Sequence, residues 1–195
     1  MKKKERSVNI PTIEEVENEQ KRLRHRAVYQ RTLRGTIAVL LVVAAISVLV
    51  ATLWMPVLQI YGSSMSPTLE AGQIVVSVKT NQLKTGEVVA FWQGNKLLIK
   101  RVIAGPGQWV DIDMDGNVTV DGQTLDEPYL TEKELGNCDI DLPHQVSEAH
   151  WFLMGDNRDT SVDSRSTAIG DISKDQIEGQ IIFRIWPLNK IGSIQ

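Results

Sequence analysis

Residues 35–58 form an uncharged and almost entirely apolar stretch. Because it has no polar face, a helix in this stretch would suit neither the surface nor one side of a globular core. At about 1.5 Å per residue, some twenty residues cross a hydrocarbon layer of about 30 Å. The pattern therefore predicts one transmembrane helix. It is preceded by 34 residues and followed by Trp54-Met55-Pro56, without a small-x-small cleavage site, which favours a permanent anchor over a cleaved signal peptide.

Beyond residue 58, short apolar runs alternate with turn residues, which is typical of β structure. Gly94-Asn95 and Asp115-Gly116 predict hairpin turns, and Gly105-Pro106-Gly107 and Asp121-Gly122 predict further turns. Short strands at close spacing indicate a mainly β fold, a coiled mixed sheet or barrel. The predicted strands are 73–78, 87–92, 96–103, 109–112, 117–120, 150–154 and 180–185.

These patterns divide the chain into a basic N-terminal segment (1–34), a membrane anchor (35–58) and a β-rich domain (59–195). Within the last, the polar and irregular stretch 124–147 is interpreted as an insertion or lid. A short helix is expected to begin near Pro11-Thr12.

Charge is distributed unevenly between these segments. Residues 1–34 hold ten Lys/Arg and five Glu, a net charge of +5, whereas the whole chain carries −3 and the remainder therefore −8. Six Lys/Arg lie between Lys21 and Arg34, and the first basic residue after the anchor is Lys79. The positive-inside rule then predicts a single-pass type II protein, with a cytoplasmic N-terminus and residues from about 59 onward outside. The acidic domain argues against nucleic-acid binding.

Cysteine and histidine offer little chemistry. Cys138 is the single cysteine, so no disulfide can form within the chain, and the three histidines lack metal-ligand spacing. A thiol-protease pair of Cys138 and His144 is a less favoured alternative to a spectator cysteine.

Three segments could carry catalysis. In 62–69, Ser64 lies in a Gly/Ser/Pro turn where nearby backbone N–H groups could stabilise an oxyanion, although such loops are common without function. Strand alternation places Lys100 on the apolar face of Leu98 and Val102, where desolvation would lower its pKa and make it a general base. The alternative is a lysine that reaches solvent at a sheet edge.

The third segment, 154–165, is dense in polar groups, and Asp163 could pair with Arg165. A solvated turn or a calcium loop is the alternative, but the EF-hand pattern is absent. Neither a triad histidine nor a Gly-x-Ser-x-Gly elbow accompanies Ser64, so a serine nucleophile here would need a lysine base.

Together these segments resemble the motifs of bacterial type I signal peptidases, the Ser-Lys subtype of peptidase family S26, and most of all its Gram-positive members. The resemblance is carried by Ser-Met-x-Pro-Thr from Ser64, Lys-Arg-Val-x-x-x-Pro-Gly from Lys100 and Gly-Asp-Asn-Arg-Asp-x-Ser-x-Asp-Ser-Arg from Gly155. It extends over most of residues 36–195.

The resemblance implies a role for each matching residue. Ser64 matches the nucleophile and Lys100 the general base. Ser161 matches the serine that orients the lysine, and Gly155 the small residue beside it. Asp163 and Arg165 match a supporting ion pair. The Ser64 backbone N–H matches part of the oxyanion hole, and Gly62 stands where Gram-negative members have a hydroxyl donor, which leaves the second donor open.

The implied reaction is cleavage of signal peptides after a small-x-small motif, with no metal and no cofactor. Strands near 59–62 and 96–99 would pair with the extended substrate. Expected partners are preprotein signal peptides, membrane lipid and nearby export machinery, in the cell membrane. The alternatives are a specialised processing peptidase of conjugation or pilin type, a self-cleaving repressor, or an inactive membrane-tethered β scaffold. The residues expected to contact substrate are Gln59, Ile60, Tyr61, Met65, Leu97, Leu98 and Ile99.

Overall fold

The computed structural model describes residues 12–80 and 82–194. It separates into two units, Met1–Val50 and Ala51–Gln195. Residues 1–11 of the predicted N-terminal segment 1–34 lie outside the described residues, and they include Pro11 at the expected start of its helix.

The described residues of the first unit belong to one long helix, α1 (Ile13–Trp54), apart from Thr12, which precedes it. Thr12 caps it: its backbone N–H donates to the Glu15 carboxylate at 2.9 Å, and its hydroxyl accepts the Glu15 N–H at 3.4 Å. This is a capping box, which satisfies backbone donors that the first helical turn leaves free. The expected short helix is therefore the start of one helix that continues through the apolar stretch, because no proline interrupts residues 13–54.

Among the described residues, α1 is the one helix long and apolar enough to cross a membrane. Its apolar side chains between residues 37 and 50 are exposed, as suits contact with lipid. The hydroxyl of Ser47 donates to the Val43 carbonyl at 2.8 Å, which satisfies a polar group within the apolar stretch.

The end of the anchor differs from the prediction. α1 stops at Trp54, and residues 57 and 58, assigned to the anchor, belong to the first strand. Pro56 explains the difference, because proline cannot continue a helix and restricts the residue before it to extended conformations.

Two antiparallel sheets make up the second unit. The larger has the strand order β1-β2-β11-β3-β4-β9-β10, with β12 added beside β11, and the smaller has the order β7-β6-β5-β8. The strands are β1 (Val57–Gln59), β2 (Ile74–Val78), β3 (Val88–Gln93), β4 (Lys96–Ala104), β5 (Trp109–Ile112), β6 (Val118–Val120), β7 (Gln123–Thr124), β8 (His144–Gln145), β9 (His150–Met154), β10 (Ile172–Ser173), β11 (Ile177–Trp186) and β12 (Gly192–Ser193).

The mainly β fold preceded by one helix is confirmed, and all seven predicted strands are present. The structure refines the predicted mixed sheet or barrel. Every hydrogen-bonded pairing between described strands is antiparallel. No described pairing joins β10 back to β1, so the described strands of the larger sheet do not close into a barrel. Parallel neighbours need long crossover connections, usually helical. After Trp54 the described helices are two three-residue 3-10 turns, Lys174–Gln176 and Leu188–Lys190.

Three apolar clusters hold the second unit together. Cluster 1 joins β9 and the end of β4 to the small sheet. Cluster 2 buries the loop after β1 against β2, β3 and β11, and cluster 3 packs β3, β4 and β9 with Ile172. The stretch 124–147 packs on cluster 1 through buried Val146 and partly buried Leu125, Leu135, Ile140 and Leu142.

Candidate active site

Ser64 lies on the loop that joins β1 to β2. Met65 and Leu69 of this loop are buried in cluster 2, and the Leu69 N–H donates to the Met65 carbonyl at 2.8 Å. These anchors leave the Ser64 side chain half-buried. No described residue accepts a hydrogen bond from the Ser64 backbone N–H, so this donor is available to an oxyanion.

Gly62 begins the turn that leads to Ser64. Its φ of +85° lies in the left-handed region, which favours glycine. An added Cβ would meet no atom within 4 Å. Backbone conformation rather than space therefore selects glycine here.

Lys100 lies on β4 opposite Val89 of β3, and it is 3% exposed. Burial lowers its pKa from the ordinary 10.5 to about 8; the charges of Asp163 and Asp156 oppose this shift, and the charge of Arg165 adds to it. No ion pair of the described residues includes Lys100. A substantial fraction of this amine is therefore neutral near pH 8 and able to accept a proton.

Ser64 and Lys100 line the same groove, which has a volume of about 400 Å³. All seven residues expected to contact substrate line it as well, together with Leu58, Gly62, Trp92 and Asn95. Its walls are mostly apolar side chains, with the serine hydroxyl and the lysine amine among the few polar groups.

Two free strand edges flank this groove. β1 pairs with β2 and with no other described strand. Residues 96–99 of β4 pair with β3, whereas the pairing of β4 with β9 involves residues 101–104. Both edges therefore present unpaired backbone groups beside the groove, an arrangement that can accept an extended peptide.

The loop that follows β9 holds the other predicted residues. Asp163 binds Arg165 with both oxygens, at 2.9 Å from Nε and from Nη2, and both side chains are buried. Burial alone would raise the pKa of Asp163, but Arg165 and the backbone N–H of Gly155 outweigh it and hold the pKa below its ordinary value. The predicted pair is thus present and charged.

Gly155 is packed between Ser64 and Ser161. A Cβ at this position would lie 2.5 Å from the Ser64 carbonyl oxygen and would overlap the Ser161 hydroxyl. The backbone N–H of Asn157 donates to the Ser64 carbonyl at 3.1 Å. Ser161 is buried, and its hydroxyl makes no close hydrogen bond to a described residue, although it acts on the neighbouring Asp163 to lower the pKa of that carboxyl. The loop therefore brings the Ser161 hydroxyl close to the segment that carries Ser64.

The sequence matches a known protein family over most of its length. The family model described as signal peptidase, peptidase S26, matches residues 33–186. Signal peptidase IB of Staphylococcus aureus (strain COL) is 37% identical over 151 residues, which cover 67% of this chain and 78% of that protein. The chain belongs to the signal peptidase family, peptidase S26. The resemblance of its motifs to this family is thereby confirmed.

A second curated relative agrees with this assignment. Signal peptidase I of Bacillus licheniformis is 34% identical over 167 residues, covering 79% of this chain and 88% of that protein. The crystal structure of a signal peptidase I from Enterococcus faecalis V583 aligns with a TM-score of 0.45 and 24% identity, over 52% of this chain and 98% of that one.

This signal peptidase also has buried charges that sequence reasoning did not single out. Arg101 binds Asp156 with Nε at 2.9 Å and Nη2 at 2.7 Å, and it donates to the Gly86 carbonyl at 2.6 Å. The sequence did contain a signal for Arg101. Lys100 and Arg101 are consecutive charged residues on an otherwise apolar strand, so one of the two side chains must point to each face of the sheet. For Glu127, which binds Arg158 at 2.5 Å, the sequence offers no local signal.

The alternative chemistries receive no support from the described residues of this peptidase. His144 binds Asp171 at 2.9 Å and packs beside Phe152, and no described hydrogen bond joins it to Cys138. Of the three carboxylates in the segment 154–165, Asp156 and Asp163 are bound to arginines, which argues against the calcium-loop alternative. No group of three or more His, Cys, Asp or Glu side chains in the described ranges could hold a metal ion.

Proposed function

We propose that this signal peptidase removes N-terminal signal peptides from exported preproteins after a small-x-small motif, with Ser64 as nucleophile and Lys100 as general base. The observation that carries the proposal is that both side chains line one groove, with the lysine amine buried. A buried amine with a pKa of about 8 serves as a base near neutral pH, as an exposed lysine does not.

The proposed reaction is an acyl transfer in two steps. Neutral Lys100 takes the proton of the Ser64 hydroxyl while Oγ bonds to the scissile carbonyl carbon, and the negative charge moves to the carbonyl oxygen. The C–N bond then breaks, Lys100 returns its proton to the leaving amine, and an ester remains on Ser64. Water attacks this ester through the same base, releasing the signal peptide as a carboxylate and restoring the Ser64 hydroxyl.

Five neighbouring residues and the backbone of Ser64 are assigned supporting roles. The backbone N–H of Ser64 would donate to the oxyanion, next to the turn set by Gly62. The buried hydroxyl of Ser161 would orient the Lys100 amine. Gly155 would give Ser161 the space to approach. The pair of Asp163 and Arg165 would hold this loop.

The substrate would bind as an extended strand between the free edges at β1 and at residues 96–99 of β4. Alternate substrate side chains would then point into the apolar walls, which limit their size. The residues assigned to substrate contact are Gln59, Ile60, Tyr61, Met65, Leu97, Leu98 and Ile99.

We further assign α1 as a single-pass type II anchor in the cell membrane, with residues 1–34 in the cytoplasm and the catalytic domain, from about residue 59, outside. The six Lys/Arg before the apolar stretch support this orientation. Preprotein signal peptides would be the partners that the groove binds, with membrane lipid around α1 and export machinery nearby.

Cleavage of a preprotein with an Ala-x-Ala site, by the full chain in detergent or lipid, tests the proposal. We expect cleavage at that bond by the wild type and loss of cleavage in Ser64→Ala and Lys100→Met. Ser63→Ala and Lys96→Met are matched controls, because both residues are exposed neighbours of the proposed pair on the same loop and strand. Activity that survives in Ser64→Ala or Lys100→Met would refute the assigned pair. A folded wild type that cleaves no such preprotein would refute the proposed function.

A further inference from the structure

Three arginines next to the proposed site are almost completely buried. Arg101, Arg158 and Arg165 are each at most 2% exposed. Each pairs with a buried carboxylate, because a buried charge without a partner is very unfavourable. For Arg101 and Arg165 that carboxylate belongs to the loop after β9. For Arg158 it is Glu127, from a distant part of the chain.

Residues 127–136, which we call the strap, contact all three arginines. Glu127 accepts from Arg158 at 2.5 Å and from the Tyr129 hydroxyl at 2.9 Å. The Tyr129 ring lies 3.8 Å from the Arg101 guanidinium carbon, a cation–π contact. The Leu135 carbonyl accepts from Arg165 at 2.6 Å.

The end of the strap is pressed against the loop after β9. Gly136 has a φ of +62°, and a Cβ on it would overlap the Arg158 carbonyl and lie 2.6 Å from Arg165 Nη1. None of the strap residues lines the groove that holds Ser64 and Lys100. The strap therefore supports the site loop from outside the groove and does not cover the groove as a lid would.

Arg158 connects the strap to the proposed catalytic residues. Its Nε donates to the Gly155 carbonyl at 3.1 Å, while the Gly155 N–H donates to Asp163 at 2.9 Å. Gly155 is thus hydrogen-bonded through both its N–H and its carbonyl, and it packs directly against Ser64 and Ser161. A shift of Arg158 would move Gly155 and, with it, the packing of Ser64 and Ser161 against Gly155.

The pair of Glu127 and Arg158 is poorly built for stability alone. Glu127 Oε2 and Arg158 Nη1 are buried without a hydrogen-bond partner among the described residues. Buried polar atoms without partners cost stability, and a buried ion pair often contributes less than apolar residues of the same size. A positioning role accounts for a buried pair that leaves one oxygen and one nitrogen without a partner among the described residues.

We propose that Glu127 of the strap is a positioning residue for catalysis, acting through Arg158 and Gly155 on the geometry of Ser64 and Lys100. This inference rests on the proposed function. Since the strap lies outside the groove, its loss should impair the chemical step and leave substrate binding nearly intact.

The test is steady-state cleavage of an Ala-x-Ala preprotein by the full chain, with thermal unfolding measured on the same samples. In Glu127→Gln we expect kcat to fall about tenfold to hundredfold with KM changed less than about twofold, since small displacements of reacting groups cost rates of this order. Tyr129→Phe removes one hydrogen bond to Glu127 and keeps the ring on Arg101, so a smaller loss of kcat is expected. Asp126→Asn is the matched control, an exposed carboxylate next to Glu127, and should match the wild type.

A folded Glu127→Gln protein with normal kcat, or one in which KM rises and kcat does not fall, would overturn the inference. If Glu127→Gln does not fold, Tyr129→Phe decides: unchanged kcat in that variant overturns the inference, and reduced kcat with unchanged KM supports it. Absence of cleavage by the wild type would instead count against the proposed function, so the two failures are distinguishable.

Discussion

Gly155 lies so close to Ser64 that a side-chain carbon on it would come within 2.5 Å of the Ser64 carbonyl oxygen. The same carbon would overlap the Ser161 hydroxyl. Neither neighbour is free to move aside, because Ser161 is buried and so is Met65, the residue that follows Ser64. One methyl group at this position must therefore displace a residue that we assign to catalysis.

This contact predicts the effect of Gly155→Ala. We expect kcat to fall about a hundredfold, the order of loss that a displacement of reacting groups by about 1 Å produces, in a protein that still folds. Gly192→Ala is the control, because a Cβ at Gly192 meets no atom within 4 Å and its φ is not in the left-handed region. Wild-type kcat in Gly155→Ala would mean that the site relaxes without loss.

The pKa of Lys100 predicts how activity depends on pH. Since burial lowers this pKa to about 8, and the proposed base must be neutral, kcat/KM should rise about tenfold per pH unit below 8 and level off above it. The measurement is kcat/KM for one preprotein between pH 6 and 10, with thermal unfolding followed at each pH. A rise of kcat/KM centred near pH 10.5, the ordinary pKa of lysine, would show that the groove does not desolvate the amine.

Lys100→Met should stabilise the protein while abolishing cleavage. Because the pKa is lower in the folded state than in the unfolded chain, the unfolded chain binds more protons between pH 8 and 10.5, and wild-type stability rises with pH across this window. Below pH 8, the burial of Lys100 lowers the free energy of unfolding by up to about 3 kcal/mol.

Thermal unfolding of Lys100→Met and wild type at several pH values tests this cost. The variant should unfold at the higher temperature at pH 7, and the difference should shrink as the pH rises from 8 towards 10.5. Lys96→Met, on the same strand but exposed, should show no such pH-dependent difference. A Lys100→Met protein that is less stable than wild type at pH 7 would contradict the expectation.

Ile99 should limit the size of the substrate residues that the groove accepts. It lines the groove next to Lys100 and is only half-buried. Ile99→Ala should therefore raise the relative kcat/KM for substrates with valine or leucine in place of a small residue, by about tenfold, the order of discrimination that a few methylene groups supply. Competition between paired substrates measures this ratio. Ile191→Ala, an exposed apolar residue outside the groove, should leave it unchanged.

Local patterns were sufficient for the elements that depend on nearby residues. The uncharged stretch 35–58 predicts a helix of membrane length, and alternation with turn residues predicts the strands up to a few residues at their ends. The four strands that were not predicted, β7, β8, β10 and β12, have two residues each, and β1, expected near 59–62 from the resemblance alone, lies at Val57–Gln59. Segments so short form strands because a neighbouring strand offers partners. For β8 and β10 that neighbour comes from an earlier part of the chain, β5 and β9, whereas β7 pairs with β6 across the Asp121-Gly122 turn.

The sequence by itself determined the membrane anchor, the β-rich class and, through spaced motifs, the family with Ser64 and Lys100 as candidates. Only the tertiary structure decided that these two residues share a groove and that burial lowers the pKa of Lys100 to about 8. It also decided that Glu127 belongs to the surroundings of the site. The physical reason is that periodicity and turns are local properties of the chain. Burial, charge pairing and the shape of a groove depend on which distant segments pack together.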